Sequence, residues 1–237
     1  MARPFLTATW RHLAMLNWVV DPALVAPLVP RGTELDFFQG RTYLSVVGFL
    51  FLDTRVLGVP VPFHRDFEEI NLRFYVRRGE KRAVAFVKEI VPRAAIAWTA
   101  RWLYNEPYVA WPTSHRLETT AAGHVGRVAY EWRAHGSTHR VALSVDAPPA
   151  PLGAGSEAEF IAEHYWGYSA QRDGGTVEYE VRHPPWRAAA ATEARLECDV
   201  ARVYGRQFAA TLAGPPTSAF LAEGSAISVS GARRLVV

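Results

Sequence analysis

The stretch Glu68–Val91, EEINLRFYVRRGEKRAVAFVKEIV, consists of two alternating runs joined by a short polar tip. In the first run Ile70, Leu72, Phe74 and Val76 point one way, and Glu69, Asn71, Arg73 and Tyr75 the other. A period of two over such a length signals a strand. The Arg78-Gly79 pair between the runs supplies a residue that takes positive φ at no steric cost, so the stretch reads as a β-hairpin. The basic cluster Arg77–Arg82 is then a solvated hairpin tip, and no nucleic-acid-binding motif accompanies it.

The same pattern recurs along the chain. Thr33–Val56 (TELDFFQGRTYLSVVGFLFLDTRV) turns at Gln39-Gly40, His124–Ala147 at Gly136-Ser137, and Tyr165–His183 at Gly174-Gly175. Ala226–Val236 reads as a closing strand. Three short helices interrupt the strands. DPALVAPLV opens on Asp21 as N-cap with Pro22 behind it, and PRAAIAWTARWLY follows the second run of the hairpin. SEAEFIAEHY pairs Ser156 with Glu159 in a capping-box spacing. The expectation is a mainly β chain with a few short helices, an antiparallel barrel or paired sheets. With 237 residues and no long linker, residues 1–237 are expected to form one domain.

Composition narrows the function classes. Twenty-six basic against 23 acidic residues leave a net charge of +3, and the arginines are scattered, which disfavours nucleic acid as a partner. The longest apolar run, Tyr43–Leu52, is about half of what a membrane helix needs. The N-terminal MARPFLTATWRHL lacks an apolar signal core, so a cytoplasmic protein without a membrane partner is expected. The single cysteine, Cys198, rules out an intrachain disulfide and reads as a packing residue. His135 and His139 are four apart across a turn instead of on one helical face, and no metal is expected. His64 lies in a loop that suits a cavity mouth. No G-x-S-x-G elbow, phosphate loop or dinucleotide fingerprint is present, and no cofactor is expected.

Two groups of residues carry possible chemistry. In a barrel the polar row Glu69, Asn71, Arg73 and Tyr75 faces either water or an interior cavity. In a cavity it forms a hydrogen-bonding wall, with Arg73 paired to a carboxylate or to an anionic ligand. The other is Lys88, one of two lysines in the chain with Lys81. Strict alternation puts Lys88 on one face with Val84, Phe86 and Ile90, and Glu89 on the other with Val87 and Val91. A buried Lys88 is a candidate amine nucleophile; a snorkelling one packs its stem and reaches water or a carboxylate.

Four segments together resemble the YqjF-like group of uncharacterised bacterial proteins: FLTATWRHLAMLNWVVDPALVAPLVP, the long run from Gly32 to Val76, FVKEIVPRAAIAWTARWLYNEPYVAWP, and HPPW at His183–Trp186. The resemblance implies the acetoacetate decarboxylase-like superfamily, with a conical antiparallel β-barrel around a largely apolar cavity. Decarboxylases of that superfamily form a Schiff base on the first of two adjacent lysines, placed after a helix and a proline. Carried onto this chain, the helix arginine falls on Arg101, the proline on Pro107 and the lysine pair on Tyr108 and Val109. Neither forms an imine, and Lys88, about twenty residues upstream, does not inherit the role; it remains the disfavoured Schiff-base alternative. The superfamily's active-site glutamate has its nearest counterpart in Glu69. The expected catalytic pair is Glu69 as acid/base and Tyr108 as hydrogen-bond donor, with Asn71, Arg73 and Tyr75 of the polar row and Arg101 from the resemblance binding a small carbonyl or carboxylate compound. The alternative is a small-molecule binding barrel without catalysis. The oligomeric state stays open, a homodimer included.

Overall fold

The structure, a computed structural model, describes residues 3–61, 64–94 and 107–236. Counting strands of three residues or more, four long ones come first: β1 Leu6–Val20, β2 Thr42–Val56, β3 Phe67–Arg78 and β4 Lys81–Val91. Then follow β5 Tyr108–Ala110, β6 Thr113–Thr119, β7 Val125–Ala134 and β8 Ser137–Ser144. The C-terminal part adds β9 Trp166–Ala170, β10 Thr176–Arg182, β11 Arg187–Ala190, β12 Glu193–Glu197, β13 Ser218–Ala222 and β14 Ala226–Val229. Among the described residues four short α-helices punctuate them: α1 Pro22–Val25, α2 Glu157–Ala162, α3 Val200–Val203 and α4 Ala209–Ala213. None is long and apolar enough to cross a membrane.

Seven strands close on themselves in the order β1-β14-β10-β9-β4-β3-β2-β1. The closing pair, β1 with β2, runs antiparallel from Leu6↔Val56 to Val20↔Thr42. Closure removes the exposed sheet edges that a single open sheet would leave. Within the seven-stranded ring one described neighbour pair departs from the expected antiparallel pattern: Trp166 and Gly167 of β9 lie parallel to Ala83 and Val84 of β4. Between these strands the chain builds three strands of a second sheet and α2, then re-enters beside β4 in the same direction. That second sheet, β12-β8-β7-β6, is antiparallel and packs on the outside of the barrel.

This packing explains why β3 is buried on both faces. Ile70, Leu72, Phe74 and Val76 join Tyr130, Trp132 and Val141 of the outer sheet in one core. The odd-numbered residues turn into the barrel. The two layers meet most closely at Gly48, where an added Cβ would lie 2.5 Å from the Tyr130 ring. The Tyr130 hydroxyl then donates to the carbonyl of His12 at 2.8 Å.

Several local expectations hold. Asp21 Oδ1 accepts from Ala23 N at 2.9 Å. Ser156 Oγ accepts from Glu159 N at 3.1 Å, although the Glu159 carboxylate takes the N–H of Gly155. The turn at Gln39-Gly40 has both residues at positive φ. Beyond its single bridge, however, Glu34 and Leu35 pair with Arg77 and Val76 of β3, not with β2. The β7–β8 turn is His135-Gly136, one residue earlier than expected, again with both φ values positive. The N-terminal strand β1 was not expected at all. His12 sits at φ 55°, where the pairing with β2 skips, and that bulge hides the period of two.

Candidate functional site

Inside the barrel lies a cavity of about 290 Å³, close to the lower end of the range for small-molecule sites. Glu69, Asn71 and Arg73 line it together, as their alternation along β3 dictates. Tyr75, one step further, also points inward but does not reach the cavity. Its hydroxyl donates to Ser45 Oγ (2.6 Å), which in turn donates to Asn17 Oδ1 (2.6 Å), and its ring packs on Phe160 and His164. Tyr75 is fully buried among these side chains.

Glu69 is 3% exposed. Its Oε1 accepts from Asn71 Nδ2 at 3.0 Å and its Oε2 from the Tyr108 hydroxyl at 3.1 Å. Burial pushes its pKa up to about 7, against the smaller opposing pull of the Asn71 and Tyr108 hydrogen bonds and of the Arg73 charge. Tyr108 reaches Glu69 because β5 runs parallel to β4, with Tyr108 beside Glu89. The expected ion pair of Arg73 is corrected: among the described residues it bonds no carboxylate. Its Nη2 donates instead to the carbonyl of Ile161 at 3.2 Å, because α2 closes that end of the barrel. Arg101 and the helix expected around it lie outside the described residues.

The faces assigned to β4 also need correction. The β3–β4 register slips between Leu72↔Lys88 and Arg73↔Phe86, leaving Val87 as an extra residue. This bulge puts Val87 and Lys88 both outside. Val84 and Phe86 line the cavity before it, and Glu89 lines it after. Outside, Lys88 Nζ donates to the carbonyl of Val203 at the end of α3 and sits 5.2 Å from the Trp111 ring. A cation at that helix end meets unsatisfied carbonyls. Burial lowers the Lys88 pKa, but the amine has no face on the cavity. Lys81 is likewise elsewhere, bound to both oxygens of Glu178 at 3.1 Å. Neither lysine of the chain lines the cavity.

Sequence reasoning missed three further lining groups. Glu89 needed the bulge to be seen; its only signal was a carboxylate in an apolar run. His164 is buried, with Nε2 3.3 Å from Asp36 Oδ2, and burial lowers its pKa to about 4. Burial also raises Asp36, but hydrogen bonds from His164 and Arg82 outweigh it and hold that carboxyl below its ordinary value. The third group is a set of rings, Trp10 and Trp186 among them. His64 does border the cavity, as its loop suggested. Burial pushes the Cys198 thiol up to about 12, which suits a packing role. No set of three His, Cys, Asp or Glu able to hold a metal occurs among the described residues.

The profile of the DUF2071 family of uncharacterized conserved proteins matches residues 7–226, nearly the whole chain. The chain belongs to DUF2071. Among curated relatives of this DUF2071 chain is the uncharacterized protein YqjF of Bacillus subtilis (strain 168), 27% identical over 180 residues, covering 75% of this chain and 72% of that one. Among solved structures, the enduracididine biosynthesis enzyme MppR complexed with pyruvate superposes with a TM-score of 0.69 at 14% identity, covering 100% of this chain and 92% of that one. An acetoacetate decarboxylase from Legionella pneumophila gives 0.68 at 11% (99% and 88%). An acetoacetate decarboxylase-like enzyme from Sphingomonas wittichii RW1 gives 0.68 at 16% (99% and 94%). The DUF2071 barrel thus has the acetoacetate decarboxylase-like fold, and at these identities the likeness extends to fold alone.

Proposed function

We propose that this protein is a cofactor-independent enzyme that moves a proton on a small carbonyl or carboxylate compound, with Glu69 as the acid/base and no Schiff base. The observation that carries the reading is the burial of Glu69 in the cavity wall with a pKa near 7, where a carboxyl group both takes and returns protons at neutral pH. In the proposed step Glu69 takes the proton from the carbon beside the ligand's carbonyl. The electron pair moves onto the carbonyl oxygen, and the proton returns to carbon from Glu69. Tyr108 orients the carboxylate through its 3.1 Å hydrogen bond. The Arg73 charge favours an anionic ligand and offsets the enolate charge. Pyruvate bound to MppR supports a keto acid as the first ligand to try.

A second reading is binding without catalysis. It draws support from the hydrogen bonds that occupy both Glu69 oxygens. Incubation with pyruvate in D₂O, followed by proton NMR of the methyl group, separates the two. Catalysis gives protein-dependent loss of the methyl signal that Glu69→Gln abolishes. Binding without such exchange supports the second reading.

A further inference from the structure

Beside the polar row the lining is a continuous set of rings: Phe67 precedes Glu69 on β3, and Phe49 of β2 is the cross-strand partner of Glu69. Trp10 meets Phe49 edge-on at a centroid distance of 5.2 Å and Phe51 at 5.5 Å, and Phe51 stacks on Phe67 at 4.8 Å. Trp186 extends the wall 6.1 Å from Trp10, its indole held by donation from Nε1 to Ser225 Oγ at 2.9 Å. His183 stacks on Trp186 at 4.1 Å, and burial lowers its pKa, so it adds a neutral ring at physiological pH.

A ligand of pyruvate's size satisfies the polar row and leaves these rings facing water. A cavity of about 290 Å³ normally encloses most of a larger ligand's surface. Flat walls of ring edges and faces also discriminate by shape. An aryl group finds stacked and edge-to-face partners here, worth roughly two- to tenfold in affinity over an alkyl chain of equal area.

We infer that the ligand is an aryl-substituted oxo acid, with its ring on the Trp10–Phe51–Trp186 wall and its oxo-acid head toward Glu69, Tyr108 and Arg73. The placement of the head rests on the acid–base reading above. The placement of the ring rests on the aromatic wall alone.

Calorimetric titration of the wild-type protein with pyruvate, phenylpyruvate and 2-oxooctanoate tests it, alongside NMR of the tryptophan indole N–H signals. The expected result is phenylpyruvate at least tenfold tighter than pyruvate and at least twofold tighter than 2-oxooctanoate. Ring-current shifts should appear at the Trp10 and Trp186 indoles, assigned by Trp10→Phe and Trp186→Phe. Equal affinity for pyruvate and phenylpyruvate, a preference for 2-oxooctanoate, or no binding by any of the three overturns the inference. Methyl exchange of pyruvate without an aryl preference overturns it while sparing the acid–base reading. Tight aryl binding without any proton exchange does the reverse.

Discussion

The Tyr108 hydroxyl donates to Glu69 Oε2 at 3.1 Å, joining the short strand that carries one residue to the long strand that carries the other. The resemblance drawn from the sequence implies that Tyr108 stands where the superfamily's decarboxylases carry their reactive lysine. A phenol there forms no imine, but it orients the neighbouring carboxylate. The proposed function places the chemistry on Glu69 instead of an amine, with a pKa of about 7 set by two opposing influences, burial and hydrogen bonding.

The first prediction concerns stability. Between pH 4.5 and about 7 the folded protein keeps a proton on Glu69 that the unfolded chain has released. Folding stability therefore falls as pH rises through that window, by about 3 kcal/mol in total. Glu69→Gln removes this loss. Denaturant unfolding at a series of pH values should show the variant gaining on wild type from pH 4.5 to 7, with a constant difference above. His164, with its pKa lowered to about 4, works in the opposite direction: it adds stability as pH rises from about 4 to 6.5. It is present in both proteins and cancels in the difference. A difference that does not change with pH would show that Glu69 ionises as an ordinary carboxyl.

Tyr108→Phe removes a hydrogen bond that favours the charged form of Glu69. The Glu69 midpoint should rise by roughly one pH unit, about 1.4 kcal/mol. Carbon-13 NMR of the labelled carboxyl reads this directly, and the pH profile of any proton exchange should move with it. A midpoint that stays in place while activity falls would assign Tyr108 a contact with the substrate instead.

The polar row was legible because β3 is regular: strict alternation carried Glu69, Asn71 and Arg73 to the same wall. Legibility ended at bulges and at contacts distant in sequence. One extra residue at Val87 exchanged the faces of Lys88 and Glu89, and a residue at φ 55° concealed β1. His164 reaches the site only because α2 folds over the barrel end, and Asp36 is 128 residues away from it. No local pattern encodes such a pairing. The Arg73 partner failed for the same reason, since a backbone carbonyl of α2 carries no side-chain signature.

Docking of the outer sheet should be sensitive at Gly48. A methyl group there would meet Tyr130 Cδ2 at 2.5 Å, and the ring, fully buried, has little room to retreat. Gly48→Ala should destabilise by about 1–3 kcal/mol in thermal or denaturant unfolding. Tyr130→Phe, which keeps the ring and loses only the bond to the His12 carbonyl, should cost about 1 kcal/mol. If Gly48→Ala is the milder of the two, close approach at this point is not what seats the sheet.

The last prediction concerns Lys88. A Schiff base requires an amine that a carbonyl compound can reach and a donor to expel water from the carbinolamine. Lys88 projects away from the cavity because of the bulge at Val87, and its ammonium is engaged by the Val203 carbonyl and the Trp111 ring. Lys81 is held by Glu178 and lies 3.8 Å from the centroid of the Trp166 ring. Borohydride reduction in the presence of acetoacetate or pyruvate, followed by peptide mass spectrometry, should therefore give no stoichiometric adduct on either lysine. Lys88→Met should leave pyruvate proton exchange within about twofold of wild type, since the side chain touches neither Glu69 nor the cavity. A stoichiometric adduct on Lys88, lost in Lys88→Met and retained in Lys81→Met, would require β4 to shed its bulge and turn the amine inward. It would restore amine catalysis in place of the Glu69 mechanism.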